Sequence, residues 1–145
     1  MMRREATVKQ NGMTLIELLI AMTVVAILAA IAIPAYDSYT RVANRTDATQ
    51  AMTFDAQALE RCYSQAFTYA GCAAAPAGAV ASRQGFYTVT IAVPTATSYT
   101  ITATPLKAPQ TNDSACQTFT LNSAGTQGAT NGAGTANTQV CWGST

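Results

Sequence analysis

The chain has 145 residues, a formal net charge of +1 and 10% charged residues, which suits a single domain and offers no basic surface for nucleic acid and no acidic disordered tail. It contains no histidine and only seven carboxylates, so histidine triads and most zinc or haem sites are excluded, no catalytic constellation is visible, and neither a metal nor another cofactor is expected. All four cysteines, Cys62, Cys72, Cys116 and Cys141, lie downstream of an apolar N-terminal block, which reads as disulfides in an oxidising compartment and as an envelope protein rather than a cytosolic enzyme.

Residues Met1 to Gly12 are polar, with Arg3, Arg4 and Lys9 against Glu5. A basic leader ahead of an apolar run is the usual start of an exported protein whose positive end stays in the cytoplasm. From Leu18 to Tyr36 no residue is charged. As a helix this run spans roughly 28 Å, close to the hydrocarbon thickness of a bilayer. Glu17 stands at the head of the run, after Met13, Leu15 and Ile16. An ionised side chain within a bilayer costs on the order of 2.5–3.5 kcal/mol. Glu17 therefore either reaches interfacial water or awaits a cation inside an apolar assembly, and cleavage just upstream would supply one as a new terminal amine. An ordinary secretory signal, cut near Ala30-Ile31-Ala32 to release a soluble domain, is the rival reading; Glu17 and the length of the apolar run count against it.

The stretch Gly12 to Tyr36, GMTLIELLIAMTVVAILAAIAIPAY, resembles the N-terminus of type IV pilins and pseudopilins. The resemblance implies that a prepilin peptidase cuts between Gly12 and Met13, the signature of a class III prepilin signal, and methylates the amine of Met13. Thr14, Leu15, Ile16 and Glu17 match the family motif, with Glu17 as the fifth mature residue; Met13 stands where phenylalanine is usual. It further implies that Thr14, Leu15, Glu17 and Pro34 serve assembly, Glu17 by pairing with the Met13 amine of its own or a neighbouring subunit, and Pro34 by allowing the helix to stretch locally when subunits pack.

Proline ends or kinks a helix by removing a donor and crowding the preceding turn. At Pro34 a kink is expected, because Asp37-Ser38-Tyr39-Thr40-Arg41 continues helically with Asp37 four residues before Arg41. From Asp37 to about Ser64 the pattern is amphipathic. Ala48, Ala51, Met52, Asp55, Ala58, Leu59 and Cys62 recur at threes and fours, with Asp55 the discord, while Arg45, Asp47, Gln50, Glu60 and Arg61 supply the polar positions. Beyond residue 80 the period becomes two. Strands are expected at Phe86–Val93, Tyr99–Thr104 and Gln117–Leu121, with turns at Pro94–Thr97 and Lys107–Ser114, forming an antiparallel meander whose outer face is rich in threonine. Ser123–Thr138 has no large apolar residue and reads as an exposed loop.

Four cysteines allow three pairings. The local one, Cys62 with Cys72 and Cys116 with Cys141, is preferred because each link encloses a segment short of anchoring residues. The first staples the loop holding Phe67 and Tyr69 to the helix end, the second holds Ser123–Thr138 and Trp142, and each is worth roughly 3 kcal/mol by loop entropy. Metal binding is disfavoured, with no Cys-x-x-Cys present. The triplets Asn44-Arg45-Thr46 and Asn112-Asp113-Ser114 match a glycosylation acceptor but are short enough to arise by chance. Arg41, Arg45, Arg61, Arg83 and Lys107 are too dispersed to define a DNA patch, so nucleic acid is not indicated as a partner.

The expected architecture is α+β: a leader over 1–12, a transmembrane and filament-core helix over 13–36, an amphipathic helix over 37–64, and a head over 65–145 with three to four antiparallel strands and a disulfide-bounded region over 116–141. The stretches RCYSQAFTYAG, FYTVTIA, TSYTITATP and CQTFTLNSAGTQGA, ending in VCW, resemble PilE-type minor pilins. The resemblance implies a pilin fold and a structural subunit, not an enzyme. Such a subunit is a single-pass inner-membrane protein with a periplasmic head until it joins the surface pilus of a Gram-negative bacterium. Its partners are the prepilin peptidase, the inner-membrane assembly platform, and other major and minor pilins. The fibre serves adhesion, twitching motility or DNA uptake. A type II secretion pseudopilin is the alternative within the same family.

Overall fold

The computed structural model describes residues 12–73 and 78–143, and all but the last residue of the expected leader lies outside this range. Helix α1 runs from Leu15 to Ala66 with Pro34 inside it, so the proline does not stop the helix. The chain divides into two compact units, one ending at Tyr36 and the other beginning at Asp37. In the first, side chains from Leu15 to Leu28 are all exposed, as suits residues whose solvent is lipid or other helices. An 18-residue window of α1 reaches a mean hydropathy of 2.7 with none of it buried, so the helix is long and apolar enough to cross a membrane.

The second unit is a helix packed on a sheet. Strands β1 (Ala79–Ala81), β2 (Tyr87–Thr95), β3 (Ser98–Pro105), β4 (Thr118–Asn122) and β5 (Gln127–Thr130) pair antiparallel in sequence order. This is the expected meander with more strands than the expected three to four. Alternation sends Tyr87, Val89, Tyr99, Ile101, Ala103, Phe119, Leu121 and Ala129 inward against Ala48, Met52 and Leu59 of α1. The alternate positions face out: Thr90, Thr102 and Thr120 are register neighbours across three strands, as are Thr88 with Thr104 and Thr118 with Thr130.

Several boundaries differ from expectation for physical reasons. Pro94 belongs to β2, where the pairing with β3 is irregular between Ala92 and Thr95, so its missing N–H breaks no regular ladder. Ser123–Thr138 is not simply a loop. It contains β5, and Thr130 bridges to Ala136, because small residues can pair with β4 where bulky ones would not fit. Gly128 lies opposite Thr120, and a Cβ there would come 2.5 Å from the threonine Oγ1. A short helix α2 (Thr138–Trp142) follows and ends at Gly143, whose φ of +66° is the left-handed cap that favours glycine. Cys62 is bonded to Cys72, and Cys116 to Cys141.

Candidate functional site

Thr14 precedes α1 and its Oγ1 accepts the N–H of Glu17 at 3.3 Å, while Leu18 N–H donates to the Thr14 carbonyl. Thr14 thus caps the helix, and Glu17 three residues on places a carboxylate in the first turn, where free N–H groups favour negative charge. Among the described residues nothing lies within 4 Å of where a Cβ on Gly12 would stand, so packing against them gives no reason for glycine there. Leu15 is exposed at the first turn. Leu18, Ala21, Met22, Val25 and Ala26, spaced at threes and fours, form a shallow apolar seam along the first unit.

In the head, two charged residues of α1 that the sequence placed among its solvated positions are buried instead. Arg45 donates through Nε to Asp113 Oδ2 at 2.7 Å and through Nη2 to Oδ1 at 2.9 Å, and its Nη1 reaches the Val140 carbonyl at 3.2 Å. One guanidinium therefore joins α1, the turn after Asn112 and α2. Asp47 is 2% exposed and grips the β1–β2 turn. Its Oδ2 accepts from Ser82 Oγ at 2.5 Å and from Phe86 N–H at 3.2 Å, and its Oδ1 accepts from Gln84 N–H at 3.1 Å. Both residues flank the apolar stripe, three or four positions before Ala48 and Ala51, and that spacing was the available signal.

The turn so held exposes Arg83. Lys107 approaches from the end of β3, donating to the Gln84 carbonyl at 3.2 Å with its ammonium 4.7 Å above the Phe86 ring. Arg45–Asp113 is the ion pair found among the described residues, so no carboxylate of the described residues lies within ion-pair distance of Arg83 or Lys107. At the far end of α1, one oxygen of Glu60 accepts from both Tyr69 and Tyr99 hydroxyls at 3.0 Å. Burial, then the Glu60 contact, pushes Tyr69 up to about 12 and Tyr99 higher still. Asp55 lies half-buried in a groove between α1 and β1, and burial raises its pKa. Among the described residues no cluster of three or more His, Cys, Asp or Glu is placed to hold a metal.

The capped turn bearing Glu17 and the basic residues Arg83 and Lys107 thus lie at separate locations, the first turn of α1 and the β1–β2 turn of the head. Comparison with known proteins bears on both. Residues 34–120, more than half of the chain, match the family described as type IV minor pilin ComP, DNA uptake sequence receptor. Residues 8–33 match the prokaryotic N-terminal methylation motif. A stretch of 54 residues is 48% identical to prepilin peptidase-dependent protein D of Escherichia coli (strain K12), covering 37% of this chain and 37% of that protein. The chain therefore spans well under half the length of the curated relative it matches.

Proposed function

This chain belongs to the type IV minor pilin family, and from that premise we propose that it is cut between Gly12 and Met13, methylated at Met13, and drawn from the inner membrane into a fibre through its N-terminal helix. The observation that carries this reading is the joint chemistry of Gly12 and Glu17. No described residue crowds the place of a Cβ at Gly12, and a glycine not required by packing fits recognition by a peptidase. Hydrolysis releases the basic leader on the cytoplasmic side and leaves an amine close to the Glu17 carboxylate. In the membrane Glu17 sits near the polar boundary. In a fibre of packed apolar helices it is buried, where an unpaired charge costs several kcal/mol and a methylated, still cationic amine offsets it. That requirement sets the axial register of each subunit. The head then lies in the periplasm before assembly and on the fibre surface afterwards.

The family's description also names DNA uptake, and the part of this head suited to a phosphate backbone is the Arg83–Lys107 pair on the turn held by Asp47. The chain's near-neutral charge means that attraction comes from a few local contacts and not from a broad field. Two phosphate contacts give a slope of about −2 in log K against log salt, and Arg83→Ala or Lys107→Ala each reduces it by about one. Binding of duplex DNA to the purified chain over a salt series checks this; an unchanged slope in both variants would remove the turn from the contact.

For assembly, mass spectrometry of the mature chain is expected to find Met13 at the N-terminus with one added methyl group. Glu17→Ala is expected to insert in the membrane normally yet to be lost from sheared fibres. A chain beginning near Ile33 means an ordinary secreted domain, and normal incorporation of Glu17→Ala ends the role of Glu17.

A further inference from the structure

The β4–β5 connection and the segment after β5 carry the same loop twice. Asn122-Ser123-Ala124-Gly125-Thr126 and Asn131-Gly132-Ala133-Gly134-Thr135 share the pattern Asn-x-Ala-Gly-Thr. Their hydrogen bonds coincide. In each loop the asparagine N–H donates to the threonine carbonyl, and the asparagine carbonyl accepts the glycine N–H. The asparagine Oδ1 accepts two further N–H groups, from Ala124 and Thr126 in one loop and from Ala133 and Thr135 in the other. Gly125 and Gly134 stand at φ of +73° and +78°, where any side chain is strained.

The loops differ in the residue after asparagine. Ser123 shows that the loop accepts a side chain there. Gly132 does not adopt a left-handed φ, and a Cβ on it would meet Gln117 Cγ at 3.6 Å and the Ser114 carbonyl oxygen at 3.7 Å, both ordinary contacts. Neither conformation nor packing against the described residues asks for glycine, which loses more chain entropy on folding than any other residue. What glycine supplies is reactivity. With no Cβ beside it, its backbone nitrogen reaches the side-chain amide of a preceding asparagine more easily than that of any other residue.

We propose that Asn131–Gly132 is a deamidation site that the closed head holds shut and that loss of the Cys116–Cys141 bond opens. In this reaction the Gly132 nitrogen bonds to Asn131 Cγ and passes its proton through water to the leaving side-chain nitrogen. The Cγ–Nδ2 bond breaks, ammonia departs, and a second water opens the five-membered imide at either carbonyl. Aspartate or isoaspartate results, and no oxidant or reductant takes part in the step. Water is at hand, because residues 132–136 are exposed; restraint, and not burial, keeps the site closed.

The restraint falls on both reacting groups. Gly132 N–H donates to the Ser114 carbonyl at 2.9 Å, which ties the nucleophile to the segment leading into Cys116. The N–H groups of Ala133 and Thr135 hold Asn131 Oδ1 at 3.0 and 2.9 Å, which fixes the amide that has to swing onto Gly132. Asn137 Nδ2 reaches the Ala115 carbonyl, so this bond, the Gly132–Ser114 bond and the disulfide clamp the same two segments together. Having to break the three hydrogen bonds at the site slows the reaction at least about tenfold. Reduction of the disulfide loosens the clamp and lets this end of the head open locally. Isoaspartate then adds a methylene to the main chain between Asn131 Cα and the Gly132 nitrogen, inside the span that joins Asn131 to Thr135 and Thr130 to Ala136. A head that reacts while open re-forms these pairs out of register, so the change is a one-way record of opening, whether or not the chain enters a fibre.

The test holds the detergent-solubilised full chain at mildly alkaline pH, with and without a thiol reductant, and follows Asn131 and Asn122 by peptide mass spectrometry. Asn131 is expected to convert at least about tenfold faster in the reduced sample, approaching the rate of a free peptide of residues 128–136, while Asn122 stays intact in both. The double variant Cys116→Ser, Cys141→Ser is expected to match the reduced sample without reductant, which assigns the release to that bond. Gly132→Ser, which copies the first loop, is expected to keep the melting temperature of the oxidised chain and to stop conversion in the reduced one. Equal rates at Asn131 in oxidised and reduced chain, conversion at Asn122 as fast as at Asn131, or a double variant as slow as the oxidised chain would each overturn the proposal. So would a melting temperature lowered by several degrees in Gly132→Ser, since glycine would then serve the fold.

Discussion

Arg45 and Asp113 are far apart in sequence and meet in a two-bonded pair with almost no solvent access. Such a pair is weak evidence of net stability, but breaking it leaves one uncompensated buried charge. Asp113→Ala is therefore expected to lower head stability by about 3–5 kcal/mol in urea unfolding. Replacing both partners with apolar residues of similar volume should recover most of that loss; a double variant as unstable as the single would assign the cost to something other than the stranded guanidinium. Periodicity showed half of this chemistry. Asp55 was legible as a discord on an apolar face and proves half-buried. Arg45 and Asp47 were assigned to the solvated side, because spacing along one helix does not show which flanking charge a distant loop will reach.

Elements with strong alternation were the readable ones. The three expected strands differ from the observed β2, β3 and β4 by two residues at most at each end, because Tyr, Val, Ile and Phe alternate there with threonine. Strands β1 and β5 were missed. Ala-Val-Ala and Gln-Gly-Ala-Thr carry no period of their own and become strands because β2 and β4 offer partners. At Gly128 the dependence is steric. Gly128→Ala puts a methyl group against the stiff, β-branched Thr120, and overpacking of this kind costs about 1–3 kcal/mol. Thermal unfolding should show that loss in Gly128→Ala and its relief when Thr120→Ala is added; equal losses in both would mean that β5 shifts to avoid the clash. Trp142 adds a second tie, donating from Nε1 to the Gly128 carbonyl at 2.9 Å and lying edge-on to Phe119.

For the molecule as a whole, the N-terminal motif declared a family and the head had to be built. The uncharged run from Leu18 to Tyr36 is legible because a bilayer-length apolar helix needs no tertiary information. The buried tyrosines are a property of the folded head alone. Tyr69, Tyr87 and Tyr99 all have pKa values raised by burial, the first two to about 12. The folded head keeps these protons where the unfolded chain, titrating near 10, gives them up. Their stabilisation is complete below pH 10 and falls as pH rises from about 10 to 12. Unfolding midpoints measured across that range should drop steeply, and Glu60→Gln should make the drop shallower, because removing the negative charge beside two phenols brings their folded-state pKa values back toward the unfolded one; a midpoint flat to pH 12 would contradict the burial of all three.

As the proposed fibre subunit, the chain would bear load. Under that reading tension enters the head along α1, while the last strand and helix are tied back by Arg45 to Val140 and by the bond from Cys116 to Cys141. With a sequence separation of 25 locked inside that covalent loop, an overstretched head pays out about 90 Å less chain than its reduced form. Under that reading the disulfide limits how far a strained fibre can lengthen through any one subunit, and keeps the C-terminal end of a yielded head beside β4.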